Sequence, residues 1–344
     1  MLEPEYLQTL FNVNESYVDL TSFWLSKAKY LNVLHLGRWQ GSSKNHIEVT
    51  NTEFLRTLGD LKHLRYINLQ GISRIHELPL LISSLRHLKI LDLRACHNLE
   101  KLPSGISMLE NLEYLDMSEC YLIGNMPVGL AALTKLQVLK GFVIGNPTAN
   151  GHCKLSQLTK LSNLRKLSLN IYESMADYIA EYELEHLRSF NQLRSLTVAW
   201  LGIPPPSKSR KATTRQLRPS LTYSRANTMS QLPPMLEKLD LRCYPYYELP
   251  RGLQGMEALK KLYVRGGQLR SLMMTGENGN WATSISILRL KFLIDLELTW
   301  PDLCSLFPAL VYFEKVNCPK LCLCPCDGRG VWRQNPTASL SQAP

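Results

Sequence analysis

No stretch of the 344-residue chain approaches the ~20 uncharged apolar residues that a membrane-spanning helix needs, which excludes such a span. Nor does the N-terminus place a basic run ahead of an apolar segment. Met1-Leu2-Glu3-Pro4-Glu5 carries two acids, so a secretory signal is not expected. A G-x-x-x-x-G-K-[ST] phosphate loop is missing, and with it the backbone nest and lysine that cradle a nucleoside triphosphate. Neither a nucleophile elbow nor an H-E-x-x-H helix is present, and the eight histidines fall mostly in variable slots of a repeat. An enzyme is therefore not expected, and no cofactor with it. Without a secretory signal, the nine cysteines read as reduced thiols rather than a disulfide framework. Cys318, Cys322, Cys324 and Cys326 invite a metal reading, but C-x-C-x-C departs from zinc-ligand spacing and no second knuckle follows.

What the chain does have is apolar residues at 45%, against 20% charged, enough for a large core. The formal net charge of +10 is localised. Lys208, Arg210, Lys211, Arg215, Arg218 and Arg225 lie in a segment with no acid between Gly202 and Leu236. The rest is close to balanced, so overall basicity does not imply a nucleic acid or a membrane surface as partner.

Self-similarity dominates. Leu85-x-x-Leu88-x-x-Leu91-x-Leu93-x-x-Cys96 is followed by Leu109-x-x-Leu112-x-x-Leu115-x-Met117-x-x-Cys120. Taking the first apolar residue of each L-x-L pair as a marker, Ile67, Leu91, Leu115 and Leu139 follow at a constant spacing of 24. Leu10 and Leu34 keep the same interval. Later markers, Leu167, Leu196, Leu239, Leu262, Leu296 and Phe313, are unevenly spaced. The last unit places Lys315 where an inward aliphatic belongs, as degenerate terminal repeats often do.

Strand periodicity explains the frame. The central x-L-x-L-x is a short strand whose leucines point inward, and each strand is too short to bury them alone. Stacking neighbours in parallel makes one core and pairs the backbone. The Cys slot falls in the following turn, where it is expected to meet backbone amides. Pro79, Pro103 and Pro127 punctuate the far side. The frame predicts an α/β solenoid, a leucine-rich repeat horseshoe. Its parallel sheet lines the concave face, and loops and short helices make the convex one. About 10–12 irregular repeats are expected over residues 1–321. A basic Pro/Ser-rich insertion at 202–231 and an unstructured tail at 322–344 complete the expected layout. The insertion reads as a solvated loop, with a nuclear-import segment, a phosphorylation site or a contact for an acidic partner as functional alternatives.

Outward strand positions form two columns. One begins Val33, Tyr66, Ile90, Tyr114, Val138 and ends Asp295, Tyr312; the next begins His35, Asn68, Asp92, Asp116, Lys140 and ends Glu297, Glu314. The apolar and aromatic start of the first column is unlike a merely solvated sheet, and exposed tyrosines commonly anchor protein contacts. Tyr66, Ile90, Asp92, Tyr114 and Asp116 are the candidate protein-binding residues.

The run Leu91-Asp92-Leu93-Arg94-Ala95-Cys96-His97-Asn98-Leu99-Glu100-Lys101-Leu102-Pro103 resembles plant leucine-rich repeats, as does Leu136 through Gly145. The resemblance is to the repeat region of plant intracellular nucleotide-binding, leucine-rich-repeat disease resistance proteins of the coiled-coil class, called RPP13-like. It covers roughly residues 5 to 332. It implies a non-enzymatic, cytoplasmic module, with the nucleus as a second compartment. The implied partners are pathogen effectors, or a nucleotide-binding switch domain in cis or trans. The chain looks like the recognition part of such a receptor, without its coiled-coil and nucleotide-binding domains. Alternatives are a general scaffold, such as a ubiquitin-ligase substrate-recognition subunit or signalling adaptor, and an extracellular repeat receptor, which Leu122-Ile123-Gly124-Asn125-Met126-Pro127 echoes once.

Overall fold

The computed structural model describes residues 3–13, 15–39, 46–145, 151–172, 182–202, 229–272 and 284–334. Most of the basic insertion at 202–231 lies outside the described residues. The chain divides into two compact units: Met1–Glu183 with Gly202–Thr213, and Leu184–Leu201 with Thr214–Pro344.

In the first unit, strands Thr9–Phe11, Val33–His35, Tyr66–Asn68, Ile90–Asp92, Tyr114–Asp116, Val138–Ile144 and Lys166–Tyr172 pair in that order, all parallel. The repeat marker is also the sheet register: Leu10, Leu34, Ile67, Leu91, Leu115, Leu139 and Leu167 stand directly opposite one another. From Leu34 onward every one of them is buried. A three-residue strand buries one such side chain, and only the neighbouring strands close the core around it. The far side is built as regularly. Pro79, Pro103 and Pro127, extended, lead into the 3-10 helices Leu80–Ser84, Ser104–Met108 and Val128–Ala132. These helices drop Ile82, Ile106 and Leu130 into the core at 0% exposure.

Between strand and helix the chain reverses through a left-handed residue, again at a spacing of 24: Gly71 (φ 73°), Ala95 (φ 57°) and Glu119 (φ 65°). This turn aims the next side chain inward. Cys96 Sγ donates to the Leu69 carbonyl at 3.1 Å, and Cys120 Sγ to that of Leu93 at 3.1 Å. The slot therefore meets carbonyls as well as the amides expected from the sequence, those of Gly71 and Ile72 beside Cys96, because a protonated thiol can donate as well as accept. Burial pushes the Cys96 thiol up to about 12 and the Cys120 thiol up as well.

The strands Val138–Ile144 and Lys166–Tyr172 are longer, and one glycine sets the phase of the first. Gly141 has φ 78°, and a Cβ there would lie 2.5 Å from the Met117 carbonyl oxygen. The register shifts between Leu139 and Phe142, so Phe142, Val143 and Ile144 are all buried.

The second unit holds parallel strands Ser195–Leu201, Lys238–Tyr244, Lys261–Gly267, Ile287–Lys291 and Tyr312–Val316. The expected marker Leu296 is not in this sheet. Its place is taken by Leu288, opposite Leu262 and Phe313. Ile287-Leu288-Arg289-Leu290-Lys291 carries the same alternation eight residues earlier, and the pattern alone does not separate the two. Asp295 and Glu297, expected on the sheet face, instead pair with Lys320 at 3.7 and 2.7 Å. Lys315 does occupy an inward register position, where its Nζ donates to the Leu321 carbonyl at 3.1 Å.

The expected unstructured tail from residue 322 is corrected as well. Val331–Arg333 returns antiparallel to Tyr312–Val316, and Trp332 meets Trp300 edge-on at 4.9 Å. Residues 335–344 lie outside the described residues. Cys324 and Cys326 are joined in a disulfide, against the expectation of nine reduced thiols. Among the described residues no helix is long and apolar enough to cross a membrane, and no group of three His, Cys, Asp or Glu could hold a metal ion.

Two outcomes follow from the turn geometry. Alkylation of the native protein is expected to label Cys243, Cys304 and Cys322, which are exposed, and to leave Cys96, Cys120, Cys153 and Cys318 intact until unfolding; peptide mass spectrometry reads this directly. Ala95→Gly removes the Cβ from a left-handed turn and is expected to raise stability in urea titration by about 1 kcal/mol.

Candidate functional site

On the outer face of the first unit, Val33, Tyr66, Ile90, Tyr114 and Val138 stand directly opposite one another across five strands. All five are half-buried, so the expected row is real: an apolar and aromatic stripe one side chain wide. Tyr66, Ile90 and Tyr114 lie where the sequence analysis put them.

Asp92 and Asp116 do not. The structure buries them, to 7% and 0% exposure, and occupies both of their oxygens. Asn68 Oδ1, Asp92 Oδ1 and Asp116 Oδ1 accept from the amides of Gln70, Arg94 and Ser118, closing the turn after each strand. The second oxygens knit the strands together. Asn68 Nδ2 donates to Asp92 Oδ2 at 3.4 Å, and Arg94 lies 3.5 Å from Asp92 and 3.6 Å from Asp116. Lys140 Nζ donates to Asp116 Oδ2 at 2.8 Å, and the Tyr114 hydroxyl donates to the same oxygen at 2.9 Å. These carboxylates hold the row in place from the side, on the same face of the sheet. Their outward register position is roofed by the long side chains of their neighbours, which strand periodicity does not report.

The electrostatics divide the pair. Burial alone would raise the Asp116 pKa, but the hydrogen bond and charge of Lys140, with Ser118, outweigh it and hold the carboxyl below its ordinary range. Lys140 is held up in return, despite burial, by Asp116 and Tyr114. Asp92 goes the other way: burial, with the like charge of Asp116, raises it against the Arg94 amide and the charges of Arg94 and Lys140.

Sequence reasoning missed an aromatic cluster at one end of the row. His35 stacks on Trp39 at 4.3 Å, and Phe11 lies 6.0 Å from both. The His35 ring lies 6.0 Å from that of Tyr66, with its Nδ1 3.2 Å from the Tyr66 hydroxyl. Trp39 Nε1 donates to the Asn12 carbonyl at 2.7 Å. Phe11 and Trp39 remain 44% and 45% exposed, although both are large rings. Extending the second column back one unit from His35 finds Phe11; Trp39 sits in a loop and carries no periodic signal. Together the stripe and the cluster make a rigid surface with aromatic anchors. The polar groups beside it bond to one another.

At neutral pH the two aspartates are expected to respond oppositely to amidation. Asp116→Asn removes a stabilised charge and should cost about 1–3 kcal/mol. Asp92→Asn keeps the turn acceptor, removes a strained charge and should raise the urea midpoint. The sign follows from linkage: a lowered carboxyl stabilises the fold above its unfolded pKa, and that contribution fades as pH falls through the folded value. The Asp116→Asn deficit should therefore shrink below about pH 4. Parallel urea titrations at neutral and acid pH measure both.

Comparison with known proteins agrees with this architecture. Residues 10–239 match a family model described as a leucine-rich repeat region. Over 191 residues the chain is 29% identical to disease resistance RPP13-like protein 4 of Arabidopsis thaliana, a match covering 54% of this chain and 20% of that protein. The chain thus spans a small part of that curated relative. A leucine-rich repeat protein of Leptospira interrogans, 17% identical, has the same fold with a TM-score of 0.52, over 89% of this chain and 72% of its own.

Proposed function

Because the chain belongs to the leucine-rich repeat family, whose stacked strands offer broad surfaces to other proteins, we propose that the first unit is a protein-binding module of plant defence. The observation that carries this is the half-buried Tyr66–Ile90–Tyr114 row, continued by the exposed rings of Phe11 and Trp39. The similarity to a plant disease resistance protein supports a defence setting. The proposed partner is a pathogen effector, or a nucleotide-binding switch domain in cis or trans. The proposed compartment is the cytoplasm, with the nucleus as a second site. The module acts by binding rather than by catalysis.

Magnitudes allow such a role. Carrying a two-state switch from 1:99 to 99:1 needs a differential affinity of about 5.5 kcal/mol. A contact anchor of the tyrosine or tryptophan type contributes at least about 2 kcal/mol when fully engaged. Three anchors contacting one state of the partner and not the other suffice. Tyr66 and Tyr114 on their strands and Trp39, bonded to the Asn12 carbonyl, supply them. The polar groups beside the row already bond to one another, so little ordering cost opposes binding.

Co-precipitation from plant tissue tests the proposal. Tyr66→Ala/Tyr114→Ala is expected to lose the partner recovered by the unaltered chain. Ile90→Glu, which leaves the Tyr114–Asp116–Lys140 bonds in place, should lose it too while keeping the unaltered circular dichroism spectrum. Unchanged recovery with both variants would refute the assignment.

A further inference from the structure

We propose that the sheet face of the second unit is a separate docking surface for an acidic, extended protein segment. It does not depend on the role assigned to the first unit. Two rows of like charge face outward there. Lys238 stands directly opposite Lys261, and Arg242 opposite Arg265, which in turn stands opposite Lys291. Side chains directly opposite on neighbouring strands are near neighbours, and like charges so placed destabilise a sheet. Arg242 and Lys291 find carboxylates within the fold, whereas Lys238, Lys261 and Arg265 do not among the described residues, and an anionic ligand supplies them.

The two carboxylates on this face are already taken. Asp240 pairs with Arg242 at 3.0 Å, and Glu314 with Arg289 at 3.1 Å and with Lys291 at 2.5 Å, so the cations left over are Lys238, Lys261 and Arg265. Lys238, Lys261 and Arg265 form no ion pair among the described residues. Burial, with the charges of Arg242, Arg289 and Lys261, lowers the Lys238 pKa even though Asp240 opposes the shift. An arriving carboxylate relieves that crowding.

Two tyrosines on this face, Tyr263 between the rows and Tyr312 in line with the first, decide what kind of anion fits. Tyr263 carries Lys238 at 4.5 Å and Arg289 at 4.8 Å over its ring, from the strands on either side. Tyr312 likewise carries Arg289 at 5.5 Å and Arg333 at 5.7 Å. A single-stranded nucleic acid binds by stacking bases on open aromatic faces. Here cations already cover those faces, leaving charge as the main means of recognition. The rows lie four residues apart along the strands, roughly 13 Å. An extended segment with carboxylates at that separation reaches both.

The test uses the full chain and fluorescence anisotropy. The probes are a labelled short peptide alternating Glu and Ser, its Gln counterpart, and an oligothymidylate of equal charge. The Glu peptide is expected to bind with an affinity that falls as salt rises, and the Gln peptide not to bind. Lys261→Glu/Arg265→Glu should weaken binding roughly tenfold or more. Lys208→Ala/Arg210→Ala/Lys211→Ala, in the basic insertion outside the described residues, should leave it unchanged. Binding that is lost with the insertion variant instead, that is unaltered in Lys261→Glu/Arg265→Glu, or that is tighter for the oligothymidylate would overturn the proposal.

Discussion

Everything in this molecule depends on a side chain that cannot bury itself. Leu91 on its three-residue strand has no core of its own. It reaches 0% exposure because Ile67 and Leu115 stand directly opposite on the neighbouring strands, while Ile82 and Ile106 come in from the far side. Full burial of each such residue contributes about 1.5–3 kcal/mol. That gain exists only when the units on both sides are present, so stability is a property of neighbours. The recurring 24-residue spacing from Ile67 to Leu139 records this dependence in the sequence. Where the spacing changes, to 33 residues from Leu34 to Ile67 and 28 from Leu139 to Leu167, the connections absorb the difference and the markers still stand opposite.

The polar groups obey the same neighbour rule. Each thiol of the Cys96 and Cys120 type satisfies a carbonyl one unit earlier, and each Asn or Asp of the Asn68, Asp92 and Asp116 series closes its own turn before reaching sideways. In the first unit these lateral bonds run Asn68–Asp92–Arg94–Asp116–Lys140 with charges of alternating sign. In the second unit the positions that match Arg94 bring Arg242, Arg265 and Lys291 side by side, and of these Arg265 has no carboxylate partner among the described residues. One face settles its charges internally and presents rings; the other leaves charge unsettled and presents cations. One architecture thus carries two chemistries, because outward positions are free of the packing constraint that fixes inward ones.

The sequence by itself determined the fold class, the marker residues and their register from Leu10 to Leu167, and the Tyr66–Ile90–Tyr114 row. All of these are consequences of the recurring L-x-x-L-x-L frame, and such a frame can be read from one chain. Only the tertiary structure decided the rest. It moved the strand expected around Leu296 to Leu288, because two stretches carry the same alternation and packing chooses between them. It buried Asp92 and Asp116, because whether an outward position is open depends on the length of the side chains beside it. It also brought Trp39 onto His35 from a loop with no periodic signal. Periodicity says which way a residue points; what stands over it is settled by neighbours far away in the sequence, which interact with it only once the chain has folded.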